Sequence, residues 1–110
     1  MIQERLDKIE EKLKQSAAVK ENDKDELLAL LNSLRTEITD LSKTHGEQAE
    51  SIARFAELSA HEATRSEKSD DLVDLSIQGL ATSIQGFEVS HPRLVGVINA
   101  FCNYLTNMGI

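Results

Sequence analysis

Glu88-Val89-Ser90-His91 places a carboxylate three residues before an imidazole. On one helix, that spacing lets Glu and His share a metal ion, as in four-helix di-iron proteins. Such a centre needs two of these motifs and two further glutamates. One chain supplies one motif, so a metal centre built on Glu88 and His91 requires a dimer. Pro92 argues against it. A proline disfavours helical dihedrals in the residue before it, here His91. His91 then leaves the helix, and the spacing no longer sets both side chains on one face. The competing reading is a helix corner made by Glu88, Ser90, His91 and Pro92. There Ser90 or His91 satisfies free backbone amides at the mouth of the next helix.

Other chemistry finds less support. His61-Glu62-Ala63-Thr64-Arg65 starts like the zinc-protease helix motif, but Arg65 stands where the second histidine is needed. His61, Glu62 and Arg65 are expected on a solvated face, with a Glu62–Arg65 or His61–Arg65 contact. Cys102 sits in the most apolar segment with no histidine near it in sequence, which favours a buried structural thiol over a nucleophile. No glycine-rich phosphate loop and no paired-cysteine motif occurs. The expectation is a protein that is not an enzyme and takes no cofactor.

Net charge narrows the partners. The chain has 110 residues and carries −7, with acids interleaved among its bases. Nucleic acid and anionic membranes are disfavoured partners for such a surface. The single cysteine cannot form an intrachain disulfide, so a reducing, cytoplasmic setting is the simplest assumption. The start of the chain is charged from its fourth residue, unlike a secretory leader. The apolar run 94–110 approaches a membrane span in length, but Asn99, Asn103 and Asn107 interrupt it.

The elements that must position these residues read as helices. Ile2, Leu6, Ile9 and Leu13 form a narrow seam of four-three steps, predicting a helix over about 2–17 that frays near Ser16–Lys20. Leu27, Leu31, Leu34, Ile38 and Leu41 repeat the rhythm over 23–44. Asp23 and Glu26 are placed as its capping box, and Gly46 as its left-handed stop. For 47–90 the seam keeps heptad phase through Ile52, Ser59, Ser66 and Val73, and through Ala56, Ala63, Asp70 and Ile77. A continuous helix would keep that phase, so one long helix is favoured. A break at 64–70, with Thr64 and Glu67 as caps, is the alternative. Pro92 suits the first turn of a last helix over 92–107. Leu94, Ile98, Phe101, Leu105 and Met108 form its seam, and Gly109 is its natural stop. Apolar residues surround most of this helix, which predicts burial. Asn99 and Asn103 mark either its wet face or a polar contact.

Ser76, Gly79, Ser83 and Gly86 form a small-residue strip beside the apolar stripe. Two glycines inside a helix cost about 1 kcal/mol each relative to alanine. A closely packed neighbouring helix would offset that.

Phe87-Glu88-Val89-Ser90-His91-Pro92-Arg93-Leu94, the terminal Asn107–Ile110 and the stretch 61–68 resemble a family of small, uncharacterised bacterial proteins, domain of unknown function 4404. The resemblance implies a helical fold and a bacterial origin. It brings no activity.

Taken together, these patterns predict one all-α domain over 1–110, with long antiparallel helices in a bundle or coiled-coil-like assembly. Thin seams beside an apolar last helix favour a homo-oligomer, a dimer first. The packing candidates are Ser76, Gly79, Ser83, Gly86, Leu94, Ile98, Phe101 and Leu105. Two functions stay open: a non-catalytic assembly or interaction protein, with an as yet unidentified protein as its other partner, and a metal or small-ligand binder using Glu88 and His91.

Overall fold

A computed structural model describes residues 2–17 and 19–108. Five helices follow in order: α1 (Ile2–Gln15), α2 (Glu21–Ser42), α3 (Gly46–Thr64), α4 (Asp70–Ser83) and α5 (Pro92–Met108). The fold is an all-α helical bundle. Its dimensions are 37 × 24 × 22 Å.

The four-three seams become the core. Leu6, Ile9 and Leu13 of α1 are fully buried, as are Leu27, Leu31, Leu34, Ile38 and Leu41 of α2. They meet Leu94, Ile98, Phe101 and Leu105 of α5, also fully buried. Each buried Leu, Ile or Phe contributes about 1.5–3 kcal/mol through apolar surface removed from water. α3 touches all four other helices. Polar pairs give the directions. Gln3 Nε2 donates to Thr39 Oγ1 (2.8 Å) and Arg35 pairs with Asp7 (3.0 Å), so α1 and α2 are antiparallel. Arg5 pairs with both Glu50 (2.8 Å) and Glu57 (2.9 Å), and Lys12 lies beside His61, so α1 and α3 run parallel.

The span 47–90 is not one helix. α3 ends at Thr64 and α4 begins at Asp70, so the break falls at the polar stretch. Arg65 turns to extended backbone, and its guanidinium reaches Glu67 O (2.6 Å) and the Glu62 carboxylate (3.1 Å). Ser69 caps α4 by accepting from the Leu72 amide (3.4 Å), whereas the Thr64 hydroxyl donates back to Ala60 O. Ser66, inside the break, and Asp70, the first residue of α4, are seam positions with no apolar side chain to hold a helix against the core; both are exposed. Phase was preserved because both helices turn their own seams to the same core, not because the backbone is continuous.

The second departure is at the far end of α4. This helix stops at Ser83, and Gly86 takes the left-handed conformation at φ 97°. Gly86 therefore makes the turn instead of extending the small-residue strip along a helix. Gly46, placed as the left-handed stop of α2, instead opens α3 without positive φ. α2 begins at Glu21 with Lys20 as its cap and no side-chain cap bond, so Asp23 lies inside its first turn. Gly109, the expected stop of α5, lies outside the described residues.

α5 is not apolar all round. Arg93, Asn99, Asn103 and Asn107 are exposed, and α2, α3 and α4 cover the other side. The asparagines mark a wet face.

Candidate functional site

Two regions hold the residues that sequence reasoning singled out. The first is the corner between α4 and α5. The backbone from Ile84 to His91 turns instead of continuing the helix. The Glu88 carboxylate accepts from the Gly86 amide (2.8 Å), closing the turn, and the His91 amide donates to Phe87 O (2.8 Å). The His91 carbonyl accepts from Val95 N (3.2 Å), the first helical bond of α5, which begins at Pro92. Glu88 and His91 therefore share no helix face, because α4 ends at Ser83 and α5 begins only at Pro92.

The corner brings in a residue from elsewhere. His45, in the short link between α2 and α3, meets Phe87 and His91 edge to face, with ring centroids 5.5 and 6.1 Å away; Phe87 and His91 are 5.6 Å apart. Each histidine follows a hydroxyl residue whose oxygen lies against its Nδ1: Thr44 Oγ1 at 2.8 Å from His45, Ser90 Oγ at 2.9 Å from His91. Among the described residues, no group of three or more His, Cys, Asp or Glu side chains is placed to hold a metal ion. His45 escaped sequence reasoning because it lies 46 positions from His91, outside any local spacing. The one hint is the repeated hydroxyl–histidine dipeptide, Thr44-His45 and Ser90-His91.

The second region is the α3–α4 face. Gly79 lies directly under the Phe55 ring, so close that a Cβ there would collide with it. Ser59 and Ser76 are buried at the crossing. Ser59 Oγ lies 2.7 Å from Phe55 O and 3.1 Å from Ser76 O, so its one proton links the two helix backbones. The pairings 55 with 79 and 59 with 76 make α3 and α4 antiparallel. Small residues inside let these helices approach closely, and the large apolar residues beside them stay outside. Phe55, Leu58, Leu72 and Leu75 are 36, 43, 40 and 64% exposed. Phe55, Leu75, Gly79 and Ser83 line an open groove between the helices, with Gln48, Ser51, Gln78 and Thr82 along its rims. Of the proposed strip, Ser76 and Gly79 pack against α3, Ser83 borders the groove, and Gly86 lies outside it. The exposed quartet was missed because each member lies off the seam, where a lone apolar residue carries no periodic signal.

Hydrogen bonds from Arg5 first, with weaker help from Arg54, hold the Glu50 carboxyl below its ordinary value of 4.5. Burial pushes the Cys102 thiol up to about 11, so it stays protonated and unreactive at neutral pH. Glu62, expected in solvent, is 7% exposed and held by Arg65 at 3.1 Å. No described helix is long and apolar enough to cross a membrane.

Five helices, with a turn at Gly86 and Ser90-His91 leading into Pro92, make this a small all-α protein. Residues 30–110 match the model of the Domain of unknown function (DUF4404) family, and the chain belongs to that family. The match covers α3, α4, α5 and the larger part of α2. No curated protein and no solved structure matches the chain.

Proposed function

We propose that this is a non-catalytic helical interaction protein that self-assembles through its α3–α4 face. The observation behind this reading is the groove over Gly79, lined by the exposed Phe55 and Leu75, with Leu58 and Leu72 also exposed on the same two helices. Contiguous apolar surface costs free energy in water and marks interaction sites in soluble proteins. A shallow groove floored by small residues suits the apolar edge of another helix. The thin-seam argument for assembly carries less weight, since one chain buries its own seams on α1, α2 and α5.

Light scattering over a dilution series tests the reading, on the natural chain and on Leu75→Glu. A dimer mass that falls to monomer in Leu75→Glu, with helix content unchanged, supports it. A monomer at every concentration, or a dimer indifferent to Leu75→Glu, removes it.

A second reading, capture of a metal or small ligand at the corner, draws support from His45 beside His91, each with Nδ1 engaged by a neighbouring hydroxyl. Such outer partners orient metal-binding imidazoles. Elemental analysis of untagged protein tests it: stoichiometric metal lost in His91→Ala supports the reading, and metal-free protein ends it.

A further inference from the structure

We propose that residues 65–69 form an exchange hinge: the link straightens into helix, joins α3 to α4 as one helix over 46–83, and passes α4 with α5 to a second copy, which returns its own pair. The exposed groove over Gly79 is not consumed, because it re-forms between the two chains. The inference therefore stands apart from the docking reading above.

The residues of the link permit the change. Arg65-Ser66-Glu67-Lys68-Ser69 contains no glycine, proline or β-branched residue, and none of the five has positive φ. The backbone departs from helix at Arg65, with ψ 153°, and at Ser69, with ψ 118°. Helical bonding already reaches the link from both sides: the Arg65 amide donates to His61 O (3.0 Å), and the Val73 amide donates to Ser69 O (3.0 Å). Side-chain bonds oppose straightening. They run from Arg65 to Glu67 O, from Lys68 Nζ to Met108 O (3.0 Å) and from the Leu72 amide to Ser69 Oγ. The corner between α4 and α5 lacks this freedom, since Gly86 sits at φ 97° and Pro92 follows.

The heptad phase gives the straight helix something to face. Ser59 and Ser76 mark the α3–α4 contact. Positions 59, 62, 66, 69, 73 and 76 keep one four-three rhythm through the link, so a continuous helix turns them all to one side. Two such helices, antiparallel and paired 59 with 76 as in the single chain, set 62 level with 73 and 66 level with 69. Ser66 of one copy then meets Ser69 of the other, and two small side chains let the helices cross closely. The other link residues are charged, as suits a helical segment that bridges two folded units through water. α4 packs on α3, and α5 packs on α2 and α3. Exchange rebuilds each of these contacts with the second copy, so the two forms differ in the link and in the entropy of association. Concentration then selects between them.

Two variants push the hinge in opposite directions. Asp70 is the first residue of α4 and Ser69 before it is extended, so Asp70→Pro fits the bent link. In a straight helix the same proline loses a backbone bond and clashes with the preceding turn. Ser66→Ala with Ser69→Ala removes the cap of α4 and raises helix propensity. Each protein is concentrated in mild denaturant, returned to buffer and measured by size exclusion with light scattering. The natural chain is expected to yield a dimer and Asp70→Pro none, and the alanine pair is expected to lower the dissociation constant by at least about tenfold. Monomer alone in both the natural chain and the alanine pair overturns the hinge, and so does a dimer that Asp70→Pro leaves intact. Connectivity is read with Ser59→Cys and Ser76→Cys in a Cys102→Ala background. If α4 has been exchanged, the oxidised dimer stays linked on a non-reducing denaturing gel; a dimer whose chains separate there overturns the exchange. Should the cysteine pair fail to fold, Asp70→Pro decides by itself. Failure of this inference and of the docking reading are distinct: Leu75→Glu breaks a groove-docked dimer and spares an exchanged one, and Asp70→Pro does the reverse.

Discussion

The α2–α5 contact and the α3–α4 contact solve the same packing problem in opposite ways. Between α2 and α5, leucines, isoleucines and Phe101 point inward, and the outer faces carry charge or asparagine. Between α3 and α4, alanine, serine and glycine join the buried Ile52, Val73 and Leu80, and Phe55, Leu58, Leu72 and Leu75 stay partly in solvent. The first contact gains stability by removing large apolar surface from water. The second gains close backbone approach and a serine-mediated link, and it keeps apolar surface available. A protein that needed only to fold would gain by burying that quartet. Its exposure is what supports the proposed docking at the α3–α4 face.

Paired substitutions test that contrast most strongly. Phe101→Ala, at a fully buried position, is expected to cost about 3–5 kcal/mol by lost transfer energy and the cavity left behind. Leu75→Ala, at a residue 64% exposed, is expected to stay within about 0.5 kcal/mol when measured on monomer at high dilution. Denaturant melts of both variants measure the difference. Equal costs would mean that Leu75 belongs to the fold and not to a docking face.

A smaller effect sharpens the account of the close approach. In an ordinary helix interior, Gly79→Ala would gain about 1 kcal/mol. Here the new Cβ meets the Phe55 ring, which must swing outward, so the gain is expected to vanish or reverse. In a Phe55→Ala background the same change should recover it. A double-mutant cycle showing coupling of about 1 kcal/mol or more confirms the contact, whereas additive effects place Phe55 away from Gly79 in solution.

The smallest expected effects are those of pH. Glu50 has its folded value lowered by Arg5, so its contribution is fully present above the ordinary 4.5 and is lost as pH falls through the lower folded value. Thermal melts below pH 4.5 should therefore show a smaller acid loss in Arg5→Met than in the natural chain. Cys102 acts at the other end. Its folded value is raised to about 11 from 9.0, so the folded state holds its proton longer and stability falls as pH climbs between those values. Cys102→Ser should remove that alkaline component, and an unchanged alkaline slope would assign the loss to another group.

What sequence alone determined is the helical class and the identity of the core on α1, α2 and α5. The residues of the four-three seams there are buried, except the end members Ile2 and Met108, which are half-buried. This follows because a helix of fixed period turns residues three and four apart to one side, whatever that side meets. Phe87 to Leu94 also marked a corner in advance, since the dihedral limits imposed by Pro92 are local. Tertiary structure alone decided three other things. The break between α3 and α4 depends on where two seams can both reach one core, which heptad phase does not record. The left-handed turn falls at Gly86 and not at Gly46, because a glycine permits that conformation without requiring it. The meeting of His45 with His91, and of Phe55 with Gly79, joins residues distant along the chain or on different helices. Periodicity describes one helix at a time, and these pairs exist only once two helices have been placed against each other.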